Sequence, residues 1–377
     1  MRLAPPALLA LLFAFSRAGA QPEVTPPQPA PSPEAVREAV RKGVDFLLKA
    51  QNRNGSWGSG DSPRTTEVLA DVPGSHQAFR VATTALCVLS LHRSPVREDA
   101  CGKAVERGLR FLLENYRVRR PNGMELYNVW AFGYSLRAFG ELLGEAEEPE
   151  LRRQILEACK NIIHKLEIYQ SADGGWGYYD FVAGTYHPSD ASMTFTTATI
   201  LVSLHGLEGK EIQVPQKMVE RAVKSLRRSR LDSGAYLYCP DRQYLPQAGY
   251  NKVKGSLGRA QSCNLALRYY DANVTDDDLR KGIENFFRYH RFMDLGIRRP
   301  MPHESWYSTS GYYFYYGHYY AGLVIDLLPE GERAPWRSRL EDVFLRRQEP
   351  DGSWWDYPLY SYHKQYGTAY ALLALIR

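Results

Sequence analysis

The sequence predicts an all-α fold: a closed α6/α6 toroid, two concentric rings of about six helices each. Three observations carry that expectation. Charged, amphipathic segments alternate about six times with smaller, more apolar ones, at a spacing of roughly 50 to 60 residues. The second set is apolar or small nearly all round, which marks buried helices. No linker-like stretch divides residues 34–377, so one domain is expected rather than two. A closed ring lets every helix pair cover its neighbour and removes the ends that an open superhelical stack, the alternative, has to cap.

The charged series runs 34–51, 99–116, 150–170, 215–230, 277–293 and 333–348. In the first member Val36, Val40, Val44, Leu47 and Leu48 recur at helical spacing with Lys, Arg and Glu between them, so one face meets water. The buried series runs 81–91, 129–139, 194–204, 257–269, 314–328 and 366–376.

Ahead of these helices, Arg2 precedes the apolar run Ala7–Phe15 and the small triplet Ala18-Gly19-Ala20. That order predicts a secretory signal peptide over residues 1–20, too short to span a bilayer, with cleavage after Ala20. Residues 21–33 are proline-dominated and read as a linker. The protein is therefore expected to be exported, periplasmic or secreted. The whole-chain formal charge of +5 falls to +3 once Arg2 and Arg17 leave with the signal peptide, which argues against nucleic acid as a partner. The 5 cysteines are odd in number and widely spread, unlike a disulfide framework.

Three joints between charged and apolar segments share a pattern. They are Gln51 leading to Gly55-Ser56-Trp57-Gly58, Gln170-Ser171-Ala172-Asp173-Gly174-Gly175-Trp176, and Gln348 leading to Asp351-Gly352-Ser353-Trp354. Gln at a helix end can bond exposed backbone groups, Gly makes the turn, and Trp packs over the next helix. These joints resemble the QW repeats of squalene cyclases and related terpene cyclases, and the single toroid is similar to the β subunit of protein prenyltransferases.

The resemblance implies two chemistries to test. Class II terpene cyclases protonate an alkene or epoxide with an Asp-x-Asp-Asp motif. The nearest match is Asp190-Ala191-Ser192-Met193, where only Asp190 remains. Prenyltransferases hold zinc with an Asp, a Cys two residues on and a later His. Here Gln261-Ser262-Cys263 and His318 stand at comparable places, with Gln replacing the acid. No cofactor is therefore expected, with Cys263 and His318 the candidates should zinc bind.

In a toroid the loops entering the inner helices gather at one mouth. They bring His76 and Arg80, Tyr127 and Trp130, His187 and Asp190, Lys252, Lys254 and Arg259, His303, Glu304 and Trp306, and His363. Asp190 with His187, and His303 with Glu304, are candidate acid–base pairs. Tyr127, Trp130, Arg259, Trp306, Tyr315, His318 and His363 are candidate ligand contacts, the last group drawn partly from the aromatic block 311–320. Aromatic walls suit an isoprenoid and suit stacked sugars equally. Three functions follow: a toroid that binds, and in one version transforms, an isoprenoid or other small hydrophobic ligand, in one version at a membrane surface; a carbohydrate-active enzyme of polysaccharide-lyase type; and a non-catalytic binding or scaffold ring. The family resemblance favours the first, and the sequence leaves open whether it catalyses.

Overall fold

A computed structural model describes residues 30–59, 75–118, 127–178, 192–240, 248–299, 311–358 and 360–376. The expected signal peptide lies outside these residues, as does most of the proline-rich linker.

Six helices form the outer ring: α1 (Pro33–Ala50), α3 (Glu98–Asn115), α5 (Pro149–Ile168), α7 (Gln216–Arg228), α9 (Asp276–Arg288) and α12 (Glu330–Leu345). Their starts follow from local chemistry. Ser32 caps α1 by accepting from the Ala35 N–H at 3.2 Å, with Pro33 at the first helical position. Thr275 and Asp278 form a reciprocal capping box on α9. Each helix buries one stripe, as Val40, Val44 and Leu47 do on α1, and leaves its charges in water.

The inner ring is α2 (Ser75–His92), α4 (Asn128–Leu143), α6 (Thr194–His205), α8 (Val253–Tyr270), α11 (Phe314–Leu327) and α13 (His363–Leu375), with a short α10 (Arg291–Gly296) before α11. Every inner helix packs on the next, and α13 returns to α2, so the ring is closed. In α6, Thr194, Thr196, Thr197, Thr199, Ile200 and Val202 are poor helix formers by propensity. Burial overrides this, and the hydroxyls of Thr196 and Thr199 donate to backbone carbonyls of Met193 and Phe195 (both 2.9 Å).

The Gln–Trp joints couple the rings. Gln51 donates to Gly55 O (3.0 Å) and Ala104 O on α3 (2.8 Å). Gln170 repeats this with Gly174 O (2.7 Å) and Met218 O on α7 (2.8 Å). Gln348 does so with Gly352 O (3.0 Å) and Ala39 O on α1 (2.9 Å). The amide thus reaches the next outer helix, not only its own helix end. Trp57, Trp176 and Trp354 are fully buried, and each indole N–H donates at 2.8 Å to the preceding outer helix. Gly174 and Gly352 hold φ of +100° and +87°, and a Cβ there would meet Arg221 O or Lys42 O at 2.4 Å.

Two features depart from expectation. The fifth charged segment is not one helix over 277–293: it breaks at Tyr289 and His290, where His290 turns to bond His318 and Asp294. A fourth joint, Arg230-Leu231-Asp232-Ser233-Gly234-Ala235-Tyr236, makes the same backbone turn. Leu231 N donates to Ala235 O (2.9 Å) and Gly234, at φ +82°, to Leu231 O (2.8 Å), with Arg for Gln and Tyr for Trp. All five cysteines are buried, and none of them forms a disulfide. Among the described residues no helix is long and apolar enough to cross a membrane.

Candidate functional site

The N-termini of the inner helices gather at one end of the ring, where they build a collar of aromatic side chains. Tyr127 is placed by a left-handed backbone (φ +62°) just before α4, held by its N–H donating to Tyr178 O at 2.8 Å. A non-glycine residue in that region stores strain that its surroundings must hold. Its ring stacks on Tyr178 (5.5 Å, 11° between planes) and approaches Phe79 of α2 at 4.5 Å. Phe79 continues to Tyr362 (5.7 Å). In the other direction the Tyr178 and Tyr238 hydroxyls share a hydrogen bond at 2.7 Å, and Phe195 of α6 lies 5.6 Å from Tyr238 and 5.3 Å from Tyr313. Rings from α2 and α6 and from the residues just ahead of α4, α11 and α13 therefore meet, and Phe79, Tyr127, Trp130, Tyr178 and Tyr238 remain half-buried.

Below the collar, Trp130 stacks over Tyr134 and reaches across the ring to Tyr316 of α11 (6.4 Å). Tyr134 and Tyr370 bond hydroxyl to hydroxyl. Tyr316 OH donates to Phe195 O (3.1 Å) and lies 3.0 Å from Thr199 Oγ1, which also accepts from Tyr320 at 3.3 Å. These phenols form a buried floor. Burial pushes their pKa values up, so they act as neutral donors.

Arg259 of α8 sits in the wall, 1% exposed. It donates to Gly255 O (3.0 Å), Tyr236 O (3.4 Å) and Tyr250 O (2.5 Å), and its guanidinium lies over the rings of Tyr238 (5.1 Å) and Tyr313 (5.7 Å). Its Nε–H has no partner, and no carboxylate pairs with it among the described residues. The expected grouping of Arg259 with Lys252 and Lys254 separates: Lys252 is exposed, and the Lys254 ammonium lies over Phe292 (4.7 Å) and Tyr289 (5.4 Å).

Other sequence candidates fall elsewhere. Asp190, His187, His303, Glu304 and Trp306 lie outside the described residues. Tyr315 and His318 belong to α11 but face the outer ring. Tyr315 stacks on Phe344 of α12 (5.8 Å, 16°). His318, fully buried, bonds Phe314 O through Nδ1 (2.7 Å) and His290 Nε2 through Nε2 (2.8 Å). The cause is helical period: 315 and 318 share one face, whereas 316 and 320 share another, turned toward the ring's interior. His363 meets the edge of Trp355 at 5.4 Å. Zinc does not fit Cys263 with His318. Burial holds the Cys263 thiol protonated, its pKa pushed up to about 12, and both His318 nitrogens are engaged. Among the described residues no cluster of three or more His, Cys, Asp or Glu side chains suits a metal.

One buried acid escaped the sequence reading. Asp356 is fully buried, accepts from Tyr366 OH at 2.5 Å and from the Tyr315 N–H at 3.0 Å, and burial raises its pKa to about 6. Its only sequence signal is its position two residues after Trp354.

Comparison with known proteins follows this geometry. The lanosterol synthase of Pneumocystis carinii is 28% identical over 178 residues, covering 42% of this chain and 24% of that protein. The lanosterol synthase erg7A of Aspergillus fumigatus (strain ATCC MYA-4609 / CBS 101355 / FGSC A1100 / Af293) is 26% identical over 218 residues, covering 53% and 27%. The chain thus spans about a quarter of the length of the curated relatives it matches. Among solved structures, the type II terpene cyclase MstE from Scytonema has a TM-score of 0.52 at 14% identity, covering 92% of this chain and 98% of that one. The α-1,6-mannanase GH76A of Salegentibacter sp. HEL1_6 has a TM-score of 0.56 at 12% identity, covering 91% and 100%. At such identities these two likenesses are of fold. Residues 28–238, more than half of the chain, match the squalene-hopene cyclase C-terminal domain. The chain belongs to the squalene-hopene cyclase C-terminal domain family.

Proposed function

We propose that this chain is an exported toroid that binds an isoprenoid or other lipid-like ligand in the aromatic mouth. The observation that carries the reading is the collar itself: half-buried faces of Phe79, Tyr127, Trp130, Tyr178 and Tyr238 stand above a floor of neutral phenols. Such a surface binds an apolar chain by dispersion and desolvation, and its π faces favour any cationic centre that forms on it. Family membership supports the same class, and a variant of the Scytonema cyclase is crystallised with geranylgeranyl dihydroxybenzoate as substrate. If the ligand is transformed, Asp190 is the sequence's candidate acid and Asp356 a second. The latter reaches the floor through Tyr366, whose ring lies 6.2 Å from that of Tyr370.

The test is native mass spectrometry with lipid extraction on protein purified from its own envelope fraction. A co-purified isoprenoid or lipid, reduced in Trp130→Ala, is expected. A clean apoprotein that binds oligouronates instead contradicts the reading. N-terminal sequencing of the same material is expected to begin at Gln21, and an intact Met1 contradicts export.

A further inference from the structure

We propose that Arg259 makes the mouth selective for a ligand carrying a single anionic oxygen head group, a carboxylate, at the end of its apolar body. This rests on the lipid-ligand reading above and adds the chemistry of the head.

The internal repeat provides the control. In the three Gln–Trp joints the backbone N–H of the Trp donates to a threonine hydroxyl on the following inner helix: Trp57 to Thr84 (3.1 Å), Trp176 to Thr197 (3.0 Å) and Trp354 to Thr368 (3.0 Å). The residue just before each threonine, Thr83, Thr196 or Gly367, is small and neutral, and the Thr196 hydroxyl donates to Trp176 O. In the fourth copy Ala260 takes the threonine's place, since Asn264 faces Gly282 as Val88 faces Gly108 and Leu372 faces Gly43; Arg259 stands one residue before it and donates to the carbonyl of Tyr236, the residue that replaces Trp in that joint. Three copies show that a small neutral side chain is enough to build this junction. The fourth places a guanidinium there, 1% exposed, with no carboxylate partner among the described residues and an unpaired Nε–H. Burying a charge without a counter-ion costs free energy that folding does not require at this place.

Its surroundings indicate what it serves. The two rings over the guanidinium, Tyr238 and Tyr313, belong to the collar, and Tyr238 shares its hydroxyl with Tyr178 at the mouth. A carboxylate seated beside the Tyr178–Tyr238 hydroxyl pair lies in the field of this buried cation inside a low-dielectric wall. Arg259 is the only buried cation on this wall among the described residues, since Lys254 is drawn onto Phe292 and Lys252 is exposed. One cation matches a monoanion rather than a diphosphate.

The experiment compares three probes with one C20 tail: geranylgeraniol, geranylgeranoic acid and geranylgeranyl diphosphate. They are titrated at pH 7.5 against the full mature chain and against Arg259→Thr, which places there the residue that two of the other copies carry, and Arg259→Lys. The acid is expected to bind the unaltered protein about tenfold more tightly than the alcohol. That preference should vanish in Arg259→Thr, survive in part in Arg259→Lys and weaken with salt. Equal binding of acid and alcohol, or a preference that persists in Arg259→Thr, overturns the inference while leaving the lipid reading intact. A diphosphate bound tighter than the acid overturns the monoanion assignment. Failure of all three probes overturns both readings. Should Arg259→Thr fail to fold, the acid-to-alcohol ratio and its salt dependence in the unaltered chain decide the matter.

Discussion

The side-chain amide of Gln348 donates to the carbonyl oxygen of Ala39 at 2.9 Å, joining the last outer helix to the first across 309 positions of sequence. The same contact made by Gln51 and Gln170 links outer helices adjacent in the chain. A device used locally twice is thus used once to close the ring, and closure brings the first and last inner helices to a common mouth.

Gln348→Ala removes two hydrogen bonds to backbone carbonyls and is expected to destabilise the protein by about 1–3 kcal/mol. Gln170→Ala should cost the same. Denaturant titration of both variants checks this, because in an open stack Gln348 would have no neighbouring helix to bond and its substitution would be close to neutral.

His318 is expected to make the fold acid-sensitive. Its Nδ1 faces a carbonyl and must carry the proton, so the neutral ring accepts at Nε2 from His290, whose Nδ1 lies 3.0 Å from Asp294. Burial first, then the charge of His290, holds the His318 pKa well below its usual value, with Arg347 adding to this and Asp294 opposing it. The unfolded chain therefore takes up this proton before the folded one does. Stability should fall as pH drops below about 6.5, by up to about 1.4 kcal/mol per unit. Urea midpoints between pH 7.5 and 5 in His318→Gln should lose this component.

Asp356 works in the opposite sense. Its folded pKa of about 6 lies above the ordinary 3.8, so the folded state binds the proton more tightly and stability declines as pH rises between those values. The size is about 3 kcal/mol across the window. In Asp356→Asn the acid side of the stability profile should steepen, because the His318 contribution is no longer offset. An unchanged profile contradicts the assignment.

Much of the architecture was legible in the sequence because burial is periodic. All six outer and all six inner helices lie at their expected places, as even the threonine-rich α6 is apolar all round. The break at Tyr289 was not legible, since it depends on His290 pairing with a residue one helix away. The fourth joint was hidden because Arg230 and Tyr236 replace the two residues that define the pattern, leaving only Gly234 and its spacing as a signal. Of the residues in the collar and its wall, Tyr127, Trp130 and Arg259 were singled out in the sequence by their places ahead of or within inner helices. Phe79, Phe195 and Tyr238 were missed because a ring in an apolar segment looks like core until the neighbouring helices are in position. Within the aromatic block of α11, sequence alone did not fix the rotation that turns Tyr316 and Tyr320 inward and Tyr315 and His318 outward.

The central claim is that the collar is a receptor for an apolar ligand, and fluorescence titration of the mature chain with geranylgeraniol tests it most directly. The account predicts saturable quenching with one site per chain, weakened at least tenfold in Trp130→Ala and in Tyr127→Ala while the thermal midpoint stays within a few degrees. No saturable binding, or binding left unchanged by both substitutions, would contradict it.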